Sequence, residues 1–215
     1  MVDFVPPKRG FFKPLYSAVA LQPQLISEDE IATFIANDRD LEGKINFYLE
    51  KILDKNFTVR PLLSTATFHL HTTDRKSGFV CDLVNEGFGT NQLVYILAKV
   101  LRKDQKVICI EEPEIHLHPQ AIAKMVDAFV DIAVKLKKKI VVSTHSEHLL
   151  ITLLSNVAKK TITPEQVNLY YVHKDVDETK IEKQTVDENG QIKGGLRSFY
   201  DAELDQLRSF LGVSS

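Results

Sequence analysis

The chain has 215 residues, 44% of them hydrophobic and 26% charged, enough apolar material for one sizeable core and a small appendage. Against 29 acidic residues it sets 27 basic ones, and the formal net charge of −2 excludes a uniformly basic nucleic-acid coat. The N-terminus lacks the apolar stretch of a signal peptide and no apolar run is long enough to cross a bilayer, so a cytoplasmic protein with no membrane partner is expected.

Residues 1–27 are punctuated by Pro6, Pro7, Pro14 and Pro23 and offer no long periodic element. Helical spacing follows over 28–37 and 41–54, the second stretch placing Leu41, Ile45, Tyr48, Leu49, Ile52 and Leu53 near one side. In ATFHLHT (66–72), Phe68, Leu70 and Thr72 alternate with Thr67, His69 and His71, the pattern of a half-buried strand. GFVCDLV (78–84) pairs with it as a hairpin after a polar turn. His69 and His71 thereby share a strand face, but with no third ligand in view they read as ordinary surface residues.

From residue 85 the pattern changes. TNQLVYILAKVL (90–101) spaces Leu93, Ile96, Leu97 and Val100 along an inward helix face. KVICI (106–110) is the short continuous apolar run of a parallel strand covered on both faces. PQAIAKMVDAFVDIAVKL (119–136) follows the helical period and begins with Pro119, which suits the first helical position. KIVVST (139–144) reads as a second buried strand, SEHLLITLLSNV (146–157) as a helix, and VNLYYVH (167–173) and TKIEKQTV (179–186) as two more strands. The segment 196–213 spaces Leu204, Leu207 and Leu211 for a last helix. Alternating strands and helices predict an α/β fold with parallel strands joined by right-handed crossovers. Two parts are expected: an α+β portion over 1–84, with helices, a hairpin and a candidate helical side domain, and a lobe over 85–215. Two basic clusters, Lys99, Arg102, Lys103 and Lys106, then Lys135, Lys137, Lys138 and Lys139, read as solvated helix ends. Cys81 and Cys109 lie in apolar segments without paired spacing and read as buried thiols.

Sites in parallel sheets collect beyond the carboxyl ends of strands. Two polar runs sit there: Glu111-Glu112-Pro113-Glu114 after the strand ending at Ile110, and STHSEH (143–148) after the strand ending at Val142. Neighbouring strands would bring both into one crevice. Two like charges roughly 4 Å apart repel by about 4 kcal/mol at an intermediate dielectric. The ten-residue run IEEPEIHLHP (110–119) contains no Lys or Arg, so its glutamates either splay into water or meet a cation and donors from elsewhere. Glu114 is free to point away. Glu111 and Glu112 leave a buried strand directly, and as a pair they suit magnesium and an activated water.

His116 and His118 form His-x-His, but neither metallohydrolase helix spacing is present, and His118 directly precedes the helix that Pro119 begins. A zinc-dependent hydrolase is the weaker alternative. In NEGFGTNQ (85–92), Gly87 and Gly89 precede a helix whose expected cap is Thr90, giving free N–H groups and a hydroxyl suited to an anion. The one Gly-Lys pair, Gly43-Lys44, has Asp38 where a P-loop needs glycine and Ile45 where it needs a hydroxyl. No P-loop occurs.

Taken in order, NEGFGTNQ, KVICIEEPEIHLHPQ and KIVVSTHSEHLL resemble the C-terminal portion of ABC-type ATPases of the SMC/RecF/OLD-like group, particularly the predicted AAA-type ATPases of prokaryotes. The resemblance covers about residues 80–173 well and the whole chain more loosely. It implies a partial P-loop NTPase lobe: a mostly parallel central sheet flanked by helices. It gives Gly87, Gly89, Thr90 and Asn91 the signature role towards the γ-phosphate of an opposite subunit. It gives Glu111 the Walker B magnesium position, Glu112 the activated water, and His145 the switch histidine. EIHLHP falls in the D-loop region at a dimer interface. The implied cofactors are ATP and Mg2+, and the implied partners are a Walker A-bearing N-terminal lobe and a second copy in a homodimer, with DNA or a nuclease as further family-level options. The departure is the missing Walker A and Q-loop. The isolated chain is therefore expected to be nearly inactive, and a non-catalytic dimerisation or interaction module with a vestigial site is the competing reading.

Overall fold

The computed structural model describes residues 2–63, 65–174 and 176–193. The expected helix over 196–213 lies outside the described residues. The chain divides after Leu149 into two compact units.

The first unit holds two sheets. One is parallel, with order β1 (Val2–Val5), β6 (Val107–Glu111), β7 (Lys139–Ser143). The N-terminal strand was not legible in the proline-rich opening, because four residues show no period. It is fixed by pairing, Val2 to Val107 through Val5 to Ile110. The other sheet is antiparallel, with β2 (Tyr16–Ser17) and β3 (Lys55–Pro61) on either side of β4 (Thr67–Asp74), while β5 (Val80–Asp82) also pairs with β4 as the expected hairpin.

Helices α1 (Glu28–Asn37) and α2 (Arg39–Leu53) start where their caps dictate. Ser27 and Glu30 form a capping box, and the Asp38 carboxylate accepts from the N–H groups of Asp40 and Leu41. Helix α3 (Phe88–Val100) contacts α1, α2 and β1. Its residues from Leu93 to Val100 are all buried, so it is wrapped on every side rather than along one stripe. Helix α4 (Pro119–Leu136) has Pro119 at its start, buries Ile122, Met125, Val126, Phe129 and Val130, and packs on β7 and α2. The Tyr48 hydroxyl donates to Asp131 at 2.8 Å and ties α2 to α4.

The basic clusters are not simply solvated. Lys99 Nζ lies 2.7 Å from Asp3 Oδ1 and donates to the Leu25 carbonyl, and Arg102 approaches the same carboxylate at 3.5 Å, all three side chains being buried. Lys138 is buried too and donates to the Val100 and Arg102 carbonyls at the end of α3. The charges that end a helix here are turned inward because a neighbouring strand brings the counter-charge. Lys103, Lys106, Lys135, Lys137 and Lys139 are exposed. Cys81 and Cys109 are free thiols, half-buried rather than fully so.

The second unit contains most of α5 (Glu147–Ala158), β8 (Leu169–Lys174) and β9 (Thr179–Gln184). β8 and β9 pair antiparallel with each other, Val172 opposite Ile181, and do not extend the parallel sheet. The linker of four residues between them decides this: a parallel return needs about a dozen residues or more.

Candidate functional site

β6 and β7 are parallel neighbours with Glu111 directly opposite Ser143, so the two polar runs at their carboxyl ends do converge. Glu112 follows in the left-handed region at φ 40°. Its N–H donates to the Ser143 carbonyl at 2.8 Å, and its own carbonyl accepts from Arg9 Nη2 at 2.7 Å. A non-glycine residue in this conformation costs on the order of 1–3 kcal/mol and persists only when its surroundings over-determine it. These two bonds are that over-determination. They leave the Glu112 side chain 41% exposed, 4.0 Å from Nε2 of His145, whose own side chain is 93% exposed.

Arg9 is the cation that the glutamate run lacks. Its guanidinium is buried, and Nη1 donates to the carbonyls of Pro6 at 2.9 Å and Glu111 at 2.6 Å. One side chain thus laces the exit of β1 to the exit of β6 and sets a positive charge among Glu111, Glu112 and Glu114. Burial lowers the Arg9 pKa from its ordinary value, opposed by the attraction of Glu114 and Glu112. Sequence spacing offered no sign of this: Arg9 is 102 residues from Glu111. Glu114 does not turn to water either. It accepts from the Thr144 hydroxyl, and its second oxygen is buried.

The glycine turn is arranged differently from expectation in one respect. Gly87, not Thr90, is the N-cap of α3, because the Asn91 N–H already donates to the Gly87 carbonyl at 3.2 Å. Thr90 sits buried inside the first turn. Gly89 is needed for close approach: a Cβ there would meet the His116 carbonyl oxygen at 2.4 Å. Gly87 has open space around it. Asn91 is buried, and its amide is engaged with backbone, accepting from the Phe11 N–H at 2.7 Å and donating to the carbonyls of Phe11 and Leu83. The structure therefore joins the start of α3 to His116 and Leu117, with the Phe88 ring 5.4 Å from that of His116.

His118 caps α4, its Nδ1 accepting from the Gln120 N–H at 3.3 Å. Among the described residues, neither His116 nor His118 belongs to a group of three metal-ligating side chains.

A family model described as an AAA ATPase domain matches residues 20–150. The chain belongs to the AAA ATPase domain family. Residues 162–209 of this AAA ATPase domain protein match a second model, described as a protein of unknown function (DUF3696). No curated protein matches it. Among solved structures it is similar to one described as "Structural biochemistry of ATP-driven dimerization and DNA stimulated activation of SMC ATPases", with TM-score 0.56 and 9% identity over 83% of this chain and 97% of that one. It is also similar to the Pyrococcus furiosus Smc head domain bound to the C-terminal domain of ScpA (TM-score 0.52, 10% identity, 84% and 41% covered). An Smc head bound to the C-terminal winged-helix domain of ScpA is a third likeness (TM-score 0.54, 9% identity, 74% and 47% covered). The chain spans less than half the length of the last two. At these identities the likeness is one of fold: the AAA ATPase domain described here has the architecture of an SMC ATPase head, a mixed α/β P-loop NTPase type with a parallel sheet. Among the described residues, no helix is long and apolar enough to cross a membrane.

Proposed function

We propose that this AAA ATPase domain supplies the signature, Walker B and switch-histidine elements of a nucleotide-sandwich ABC-type ATPase of the SMC/RecF/OLD-like group. The observation that carries the reading is Glu112: a glutamate pinned at positive φ by Ser143 and Arg9, with its carboxylate 4.0 Å from His145. Backbone strain that specific bonds hold in place at a strand end supports a residue positioned for chemistry. In this reading Glu112 orients the attacking water and accepts its proton, and His145 senses or stabilises the γ-phosphate. Arg9 holds the backbone that aims Glu112.

The donor set fits magnesium. Glu111 and Glu112 offer hard carboxylate oxygens after the end of the apolar run of β6, the type Mg2+ prefers. Glu111 would hold the ion, which when bound with ATP neutralises charge on the phosphates. Gly87, Gly89, Thr90 and Asn91 form the signature segment presented to the nucleotide of a second copy. Within it Asn91 acts by fastening the turn to Phe11 and Leu83.

The sequence holds no Gly-x-x-x-x-Gly-Lys-Ser/Thr run, so the phosphate cradle comes from a Walker A-bearing lobe. β7 supports this. Among the described residues it is one edge of the parallel sheet, yet it is apolar, with Val141 53% exposed. Such an edge invites a further strand. ATP-driven dimerisation, described for the SMC ATPases of like fold, is the assembly proposed here, in the cytoplasm, with DNA or a nuclease as its downstream partner.

The test is reconstitution. This chain, alone and with its Walker A lobe, is assayed for Mg2+-dependent ATP binding, dimerisation and phosphate release. Turnover is expected only in the completed assembly. Phosphate release from the chain alone that is lost in Glu112→Gln would sink the split-site reading. ATP-independent dimers with no nucleotide binding in the completed assembly would favour the non-catalytic module.

A further inference from the structure

We propose that His69, His71 and Asp82 form a binding site for a first-row divalent cation of the zinc type, on the antiparallel sheet and apart from the ATP site. Strand geometry assembles it. His69 and His71 stand two residues apart on β4 and so share a face, their rings 5.5 Å apart. Asp82 lies on β5 directly opposite His71 in the register. Its Oδ1 is 2.7 Å from His71 Nε2 and 3.9 Å from His69 Nδ1. One ligand atom from each residue lies within 4.8 Å of the others, and among the described residues this is the one such group of three. Tetrahedral zinc with bonds of about 2.1 Å sets its ligand atoms roughly 3.4 Å apart, so small side-chain rotations close the site.

The sheet leaves room for it. β3 occupies one edge of β4 from Phe68 to Asp74, so β2 and β5 share the other edge. β2 covers Thr67 and Phe68 and β5 covers His71 to Thr73, which leaves a gap at His69 and Leu70. The carbonyl of Pro14, just ahead of β2, lies 2.8 Å from His69 Nδ1. In the metal-free protein Nδ1–H donates to this carbonyl, and ligation through Nδ1, the ring nitrogen that faces Asp82, replaces that bond.

Two polar atoms beneath the site lack partners. His71 Nδ1 is buried and unbonded, and so is Oγ1 of Thr58, the residue opposite His71 on β3. Ligation through His71 Nε2 puts the ring proton on Nδ1, which then needs an acceptor of the kind Thr58 supplies. In the metal-free protein His71 instead gives Nε2–H to Asp82. Arg60, opposite His69 on β3, is the charge working against a cation. Three protein ligands leave a fourth position for water or a partner's side chain. The site would fasten β5 to β4.

The experiment uses chelator-stripped protein titrated with Zn2+ by calorimetry and with Co2+ by visible absorption. One equivalent is expected to bind, with the intense d–d bands of tetrahedral cobalt and a rise in Tm. Affinity falls at least tenfold in His69→Gln and in His71→Gln, rises in Arg60→Gln, and is unchanged in His116→Ala/His118→Ala. His69 is the part-exposed member, so His69→Gln is the variant that stays folded, checked by circular dichroism. No saturable zinc binding, or binding equal to wild type in folded His69→Gln, overturns the proposal.

Discussion

The Glu112 carboxylate and the His145 imidazole stand 4.0 Å apart, although 33 residues and a whole helix separate them in the chain. The parallel pairing of β6 with β7 closes that distance, and the bond from the Glu112 N–H to the Ser143 carbonyl holds it. A relationship of this kind identifies which substitutions will be informative.

In the completed assembly, Glu112→Gln keeps the shape and removes the base. Turnover is expected to fall by about 10²–10⁴-fold, the usual range for loss of a general base, with ATP still bound. Phosphate release together with nucleotide retention checks this, and unchanged turnover refutes the role given to Glu112.

Arg9→Lys preserves the charge but not the fork that reaches Pro6, Glu111 and Glu112 together. Pro6 and Glu111 then lose a bond from a charged donor while the Glu112 carbonyl keeps the Ile115 N–H at 3.3 Å, so at roughly 1.5–3 kcal/mol per bond to a charged group chemical denaturation should show a loss of at least about 2 kcal/mol. In the completed assembly, turnover should fall as well, because Glu112 loses the bond that aims it. A variant that is stable and fully active would remove Arg9 from the site.

The two glycines should separate cleanly. Gly89→Ala drives a methyl into the His116 carbonyl at 2.4 Å and should destabilise by about 1–3 kcal/mol, the range for overpacking. Gly87→Ala meets nothing within 4 Å and should unfold like wild type. Thermal melts of both distinguish a packed turn from a merely flexible one.

Lys138 gives a pH signature. Burial lowers its pKa from 10.5 to about 8, with Lys106 and Arg102 adding to the shift and Asp104 and Asp3 opposing it. Between those two values the unfolded chain holds the proton and the folded chain does not, so this group makes stability rise with pH across that window. Below about pH 8 both states are protonated and the contribution is flat. Lys138→Met should abolish the rise while costing stability through the freed Val100 and Arg102 carbonyls. Unfolding free energies measured from pH 7 to 10 decide it. An identical slope in the variant would assign the rise to another group.

Much of this protein was readable from local pattern. The apolar run ending at Ile110 announced a strand of the parallel sheet, though only Ile108 and Ile110 of it are buried, Pro119 announced the start of α4, and the alternation around Phe68 announced β4 and its hairpin. Periodicity, caps and turns are properties of neighbouring residues, so a single sequence carries them. The same holds for the placing of Glu111, Glu112 and His145 at strand ends, since strands end where apolar runs end. What the tertiary structure alone decided is everything set by pairing across distance. Four residues, Val2–Val5, become a strand only because β6 lies beside them. Lys99 and Lys138 read as solvated helix ends and are buried, and so is Arg9, on which the sequence offered no sign, each because a segment far away supplies carbonyls or a carboxylate. His69 and His71 lacked a third ligand until the hairpin register set Asp82 against them. Desolvation and hydrogen-bond satisfaction are costs settled in three dimensions, and no spacing along the chain records them.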